Sequence, residues 1–211
     1  MGKQERGTRT RQTILTAAAE VFEQRGYEAT TVTEILRNTN VTKGALYFHF
    51  SGKEELAQGL LQEQDEAALV PERACRTQQL VDTLLVYAHR LQTDALVRAR
   101  ARLAMDQVSP ALDRREPYLR WRTIMLRLLE QAQAQGELLA TVDPAGTAEV
   151  LVGGFTGVQS MSLILTSYED LMTRTCALLR HLLPSIATAP VLVSLDLSGT
   201  RGAEVFAETQ D

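Results

Sequence analysis

The chain has 211 residues, of which 45% are hydrophobic and 23% charged, a balance that excludes a disordered protein and allows one or two domains with a substantial core. Its net charge of −4 is unevenly spread: residues 1–53 carry eight Lys/Arg against five Asp/Glu, and residues 54–211 fourteen against twenty-one. Only the N-terminal quarter therefore suits phosphates, which disfavours a nucleoid-type protein that is basic all over. No apolar run reaches the roughly 20 residues of a membrane span, and Met-Gly-Lys-Gln-Glu-Arg lacks the apolar core of a signal peptide, so no membrane is expected and a cytoplasmic location is.

Abundant Ala, Leu, Glu and Gln with few β-branched runs predict an all-α chain. Arg6, Arg9 and Arg11 precede the first helix, either as a flexible arm along a DNA backbone or minor groove or simply as solubilising charge. Gln12 to Gln24 places Ile14, Leu15, Ala18, Val21 and Phe22 on one helical face. Thr31-Val32-Thr33-Glu34 reads as a capping box that starts a second helix at Val32, and Asn38-Thr39-Asn40 stops it. Thr42 then caps a third, very short helix, Lys43-Gly44-Ala45-Leu46-Tyr47-Phe48-His49-Phe50. A helix, a polar turn and a short second helix make a helix-turn-helix, whose second helix enters the DNA major groove. Lys43, Gly44 and Ala45 lie at its N-terminal tip, where base edges are met. Tyr47 and His49 follow a turn later, and the Tyr47 hydroxyl and Lys53 ammonium suit phosphates. Leu46 and Phe50 belong to the core. Ser51-Gly52-Lys53-Glu54 reads as another capping box, opening a fourth helix that runs to about Leu69.

After a break at Val70-Pro71-Glu72, Gln78 to Leu91 forms a helix with Leu80, Leu84, Tyr87 and Leu91 on one face. Thr93-Asp94 starts another, running to about Gln107. Its Arg98, Arg100 and Arg102 alternate with alanine, as on a solvated face with stems on apolar surface, in preference to a second DNA contact. Ser109-Pro110 opens a loop. Pro117 sits in the first turn of a long helix that Gly136 ends, and Asp143-Pro144 starts one through about Leu165. Ser167-Tyr168-Glu169-Asp170 caps the next, which Pro184 stops. These last two helices are apolar nearly all round and need cover on every face. A second copy of the same pair, in an antiparallel four-helix contact across a two-fold axis, would supply it. The tail 191–211 reads as one last helix that frays.

Chemistry-bearing clusters are sparse. Cys75 and Cys176 read as free thiols, and His49, His89 and His181 are too isolated to suggest a metal site; no cofactor is implied. Gly153-Gly154-Phe155-Thr156-Gly157 is not a phosphate loop, because no strand precedes it and no Gly-Lys-Ser/Thr follows. Close helix approach at a dimer seam, or room for a ligand, accounts for its three glycines. No catalytic motif is found, so the enzyme reading reduces to a helical enzyme fused to a DNA-binding head.

Three stretches carry a resemblance: Gly26-Tyr27-Glu28-Ala29-Thr30-Thr31-Val32-Thr33-Glu34-Ile35, Val41 through Phe50, and Lys53-Glu54-Glu55-Leu56-Ala57. Over roughly residues 8 to 60 the chain resembles the TetR family of bacterial repressors. Thr-Lys-Gly-Ala-Leu-Tyr-Phe-His-Phe followed by Lys-Glu-x-Leu-Ala is most similar to the γ-butyrolactone autoregulator receptors. The resemblance implies a DNA-binding domain at 1–53 and a ligand-binding and dimerisation domain at 54–211, acting as a homodimer on a pseudo-palindromic operator. It also implies DNA contacts from Lys43, Gly44, Tyr47 and Lys53 and from the threonines Thr31 and Thr33. For Thr31 a cap alone is an equal reading. Trp121, the only tryptophan, is core by default, but the receptors use a tryptophan in this helix as a pocket wall. Its indole suits a ligand with a polar head and an alkyl tail. Leu84 and Phe155 complete the apolar lining, and Gln64, Thr156 and Gln159 offer polar partners, with surface exposure the alternative for both glutamines. A repressor sensing another hydrophobic compound, a drug or metabolite in efflux control, is the second reading.

Overall fold

The computed structural model describes residues 2–62, 70–105 and 112–210, with side chains from residue 7 on. Among them the chain is all-α, its strand character limited to an isolated antiparallel bridge between Leu138 and Ala187. It divides into two compact units, residues 1–64 with 94–117 and residues 65–93 with 118–211.

The first unit holds α1 (Gly2–Ala29), α2 (Val32–Arg37), α3 (Lys43–His49), α4 (Lys53–Gln62) and α6 (Ala95–Met105). The apolar face expected for the first helix forms its core: Ile14, Leu15, Ala18, Val21 and Phe22 pack with Ile35, Leu46, Phe50, Leu56, Leu60 and Leu103. α4 and α6 complete this core, through Leu56, Ala57, Leu60 and Leu61 of α4 and Ala99 and Leu103 of α6. The arm reading of the early arginines is corrected. Arg9 and Arg11 are on α1, and the Arg11 guanidinium lies 5.2 Å from the Phe50 ring centroid. Gly26 breaks α1 near its end with φ 76° and ψ 174°, a conformation open to glycine. The arginine run of α6 is partly spent inside the unit, Arg98 on the Glu23 carboxylate and Arg102 on the Glu23 carbonyl. The second capping box is also corrected: Glu55, not Glu54, reaches back to the Ser51 N–H. With Gly52 in the cap position, the third helical residue is Glu55.

The second unit holds α5 (Arg76–Thr93), α7 (Arg115–Ala134) from Tyr118 on, α8 (Pro144–Thr166), α9 (Leu171–Leu182), a 3-10 turn at Leu183–Ser185, α10 (Ala189–Ser194) and α11 (Arg201–Glu208). Gly136 ends α7 as expected. With φ 71°, it donates to the Gln133 carbonyl at 3.0 Å while Glu137 donates to Ala132 at 2.9 Å, satisfying two orphan carbonyls. The Glu137 carboxylate then caps another helix, accepting from the N–H groups of Arg76 at 2.9 Å and Thr77 at 2.7 Å at the start of α5. Asp143 caps α8 through the N–H groups of Ala145 and Gly146, with Pro144 at the first position.

The corner between α8 and α9 departs from expectation. Ser167 and Tyr168 take left-handed φ of 51° and 73°, and the Asp170 side chain makes no cap bond to α9. Its carboxylate instead accepts from the Ser162 and Thr166 hydroxyls, at 2.6 and 2.7 Å, and these bonds with Arg174 hold it below the usual carboxylate range. The frayed tail is corrected as well. It forms two helices, and Gly202 and Val205 of α11 are buried against α5. A Cβ at position 202 would stand 2.4 Å from the Leu85 carbonyl oxygen, so only glycine allows this approach.

Candidate DNA-reading surface and aromatic ligand wall

The helix-turn-helix of the first unit is built from its caps outward. The Thr31 hydroxyl accepts from the Glu34 N–H at 3.3 Å, and the Glu34 carboxylate accepts from the Thr31 N–H at 3.0 Å. Hydrogen bonds from the Thr31 hydroxyl and N–H, with Arg25 beside them, hold Glu34 below the usual carboxylate range. The box is thus fully formed above the ordinary glutamate pKa and is lost as pH falls through the lowered one. Thr31→Ala is expected to cost about 1 kcal/mol. Urea unfolding at neutral pH measures it, and a change below a few tenths would mean that Arg25 and Glu34 fix α2 without the cap. Thr42 caps α3 through the Ala45 N–H at 3.2 Å.

Capped in this way, α3 turns Leu46 and Phe50 into the core and leaves Lys43, Gly44, Tyr47 and Phe48 exposed on one face. Lys43 Nζ lies 5.8 Å from the Tyr47 ring centroid, so cation and phenol are presented together. Gly44 has open space where a Cβ would be, and Ala45 and His49 are half-buried at the edge of the face. Thr31 and Thr33 are exposed at the start of α2. Phe48, 83% exposed, is a further member of this face. Lys53 is placed differently. Its ammonium donates to the Tyr27 and Glu28 carbonyls, at 2.9 and 3.2 Å, and lies 4.4 Å from the Tyr27 ring centroid. Two of its three N–H donors cap the end of α1, which leaves one for a phosphate. Sequence spacing carries no signal for this pairing, since the partners lie 25 and 26 residues apart.

In the second unit, Tyr87 of α5 meets Trp121 of α7 with ring centroids 4.6 Å apart and Phe155 of α8 at 5.5 Å. Leu84 is buried one turn before Tyr87 on the same face, and Gln159 is buried one turn after Phe155. Trp121 is half-buried. Of the expected ligand residues, Trp121 and Phe155 are thus joined through Tyr87, with Leu84 and Gln159 one turn away along α5 and α8. Thr156 stands apart, its hydroxyl donating to the Val152 carbonyl at 2.8 Å, and Gln64 lies outside the described residues. A cleft of about 350 Å³ opens elsewhere on this unit, between Val142, Val150 and Leu151 on one side and Leu182 and Ile186 on the other, and none of the expected ligand residues lines it.

α8 presents a second surface. Its buried face carries Ala148, Leu151, Phe155, Gln159 and Ser162, while Val150, Met161, Ile164 and Leu165 are exposed, with Gly153 and Gly157 opening on the same side. By length and apolarity alone this helix matches a membrane span; 28% of its most apolar window is buried within the chain, so most of its apolar surface is left to be covered from outside it.

Comparison with known proteins bears on both surfaces. Residues 14–60 match the family model for bacterial regulatory proteins of the tetR family. The A-factor receptor protein of Streptomyces griseus is 37% identical over 199 residues, covering 94% of this chain and 71% of the receptor. Full-length native TylP, a TetR regulator from Streptomyces fradiae, superposes with a TM-score of 0.89 at 46% identity, covering 98% of this chain and 100% of TylP. A γ-butyrolactone receptor (ArpA-like protein) superposes with a TM-score of 0.68 at 29% identity, covering 96% of this chain and 98% of that one.

Proposed function

Because the chain belongs to the TetR family of bacterial regulatory proteins, we propose that it is a repressor that binds a pseudo-palindromic operator as a homodimer and releases it on binding a γ-butyrolactone-type signalling molecule. Its relatives are DNA-binding regulators and not enzymes, and the protein acts in the cytoplasm, where operators are found. In this reading residues 1–53 read DNA, and residues 54–211 bind the effector and dimerise. Lys43, Gly44 and Ala45 face base edges at the tip of α3. Tyr47, His49 and the remaining Lys53 donor meet phosphates, with Thr31 and Thr33 on the backbone beside α2. The exposed face of α8 meets its counterpart in the second copy.

The observation that carries the effector assignment is the aromatic group of Tyr87, Trp121 and Phe155, with a half-buried indole beside buried Leu84 and Gln159. Aromatic faces suit the alkyl tail, while the indole N–H and the Gln159 amide suit carbonyl and hydroxyl oxygens of the head, and the Thr156 hydroxyl, already donating to Val152, could still accept a bond. Such a ligand need favour the DNA-free form by only about 1–3 kcal/mol per site to release the operator.

Trp121→Ala is expected to leave operator affinity near wild type and to abolish release by γ-butyrolactones, butenolides and furans with alkyl chains. Fluorescence anisotropy of a labelled operator, titrated with a panel of these compounds, decides it. Release of the mutant at wild-type concentrations would move the pocket elsewhere, and loss of operator binding would make Trp121 a core residue. Release by an unrelated drug-like compound alone would favour the efflux-control reading.

A further inference from the structure

α5 is buried along most of its length, polar residues included. Tyr87 on one face meets the aromatic group. Gln78, Asp82, Leu85 and His89 form the opposite face, and a single segment near the end of the chain meets all four. The Gln78 amide donates to the Asp196 carbonyl at 3.2 Å and accepts from the Asp196 N–H at 2.8 Å. The fully buried Asp82 carboxylate accepts two bonds from Arg201, at 2.9 and 2.8 Å. The Leu85 carbonyl lies against Gly202, and the His89 ring centroid is 5.5 Å from that of Phe206. Arg73 closes the arrangement by pairing with both Asp82 and Glu208, at 2.8 Å each.

We propose that residues 196–208 form a strap that fixes the depth and rotation of α5, making Arg201 a positioning residue for effector recognition through Asp82 and Tyr87. The paired Arg201–Asp82 bonds are directional, and a buried carboxylate cannot slide past its partners without leaving charge unmatched. The Gly202 approach sets the distance, and the two Asp196 bonds set the register. Tyr87 therefore meets Trp121 as part of a wall organised before the effector arrives, and a preorganised wall raises affinity. The link to the effector rests on the assignment proposed above; the positioning of Tyr87 does not.

Trp121, the only tryptophan, reports on this contact in the unliganded full-length protein. The test compares wild type, Arg201→Ala, Arg201→Lys and Glu208→Gln by Trp emission, acrylamide quenching, operator affinity and half-release by a synthetic acyl-γ-butyrolactone. Arg201→Ala should red-shift and expose the indole, leave operator affinity unchanged and raise the half-release concentration about tenfold. Arg201→Lys should fall between, since it keeps the charge but not the paired bonds. Wild-type emission and half-release in Arg201→Ala would overturn the strap. So would a fall in operator affinity matching a general loss of helicity. If Arg201→Ala does not fold, Glu208→Gln decides, with a smaller shift of the same sign expected and no shift counting against. Failure of the lactone to release wild type, alongside a shifted emission in Arg201→Ala, would remove the effector assignment and leave the strap as the device that positions Tyr87.

Discussion

Asp82→Ala is expected to destabilise the second unit by about 3 kcal/mol, at the lower end of what breaking a buried ion pair costs. The carboxylate is fully buried and takes bonds from Arg73, Arg201 and Gln78. Removing it takes the acceptor from four N–H donors on three side chains, yet both arginines keep other carboxylates within reach, Arg73 on Glu208 at 2.8 Å and Arg201 near Asp196 at 3.7 Å, which sets the lower figure. For a chain of this size the loss corresponds to a fall of about 6–12 °C in melting temperature. Calorimetry of wild type, Asp82→Ala and Asp82→Asn measures it, with the isosteric asparagine expected to lose less. A loss under about 1 kcal/mol for alanine would mean that the arginines repair themselves through Glu208 and Asp196.

The second large effect is expected at the outer face of α8. Met161 is 52% exposed and Ile164 76%, and in the proposed homodimer each substitution would appear twice across the two-fold axis. Met161→Arg or Ile164→Arg would bring four-helix packing up against paired like charges, and monomers should result. A monomer holds one half-site only. Losing the linked second contact should cost on the order of 100-fold or more in operator affinity. Sedimentation and operator titration together decide it: an intact dimer in both variants would place the seam elsewhere, and monomers with full operator affinity would remove the need for two-fold symmetry.

What could be read from the sequence was local. Thr31 with Glu34, Thr42, Gly136 and Asp143 each state a helix end within a few residues, and those ends are where the structure has them. The i, i+3 and i+4 spacing of α1 and α3 likewise marks which side is core, and so which side is left exposed. What escaped was pairing at long separation. Glu137 caps α5 from some 60 residues away, and Arg201 meets Asp82 across 119. A charged residue in a polar tail looks the same whether it is solvated or holding a buried carboxylate. The tail hides its packing for that reason: its short apolar run carries no sign that Gly202 makes room for the Leu85 carbonyl. Trp121, Tyr87 and Phe155 were each legible as apolar positions, but their meeting depends on how three helices cross.

The strap also orders events during synthesis. The first unit draws on residues up to 117, whereas α5 in the second stays incompletely covered until α11, ending at Glu208, has been made. Translation releases the N-terminus first, and units fold as their residues emerge. The helices of the first unit therefore have all their packing partners while the unit bearing the aromatic wall still lacks its last helix. A ribosome that stalls shortly before codon 201 holds a chain able to complete its N-terminal unit but not the other, and limited proteolysis of such stalled chains would show protected α1–α4 beside a cleavable α5.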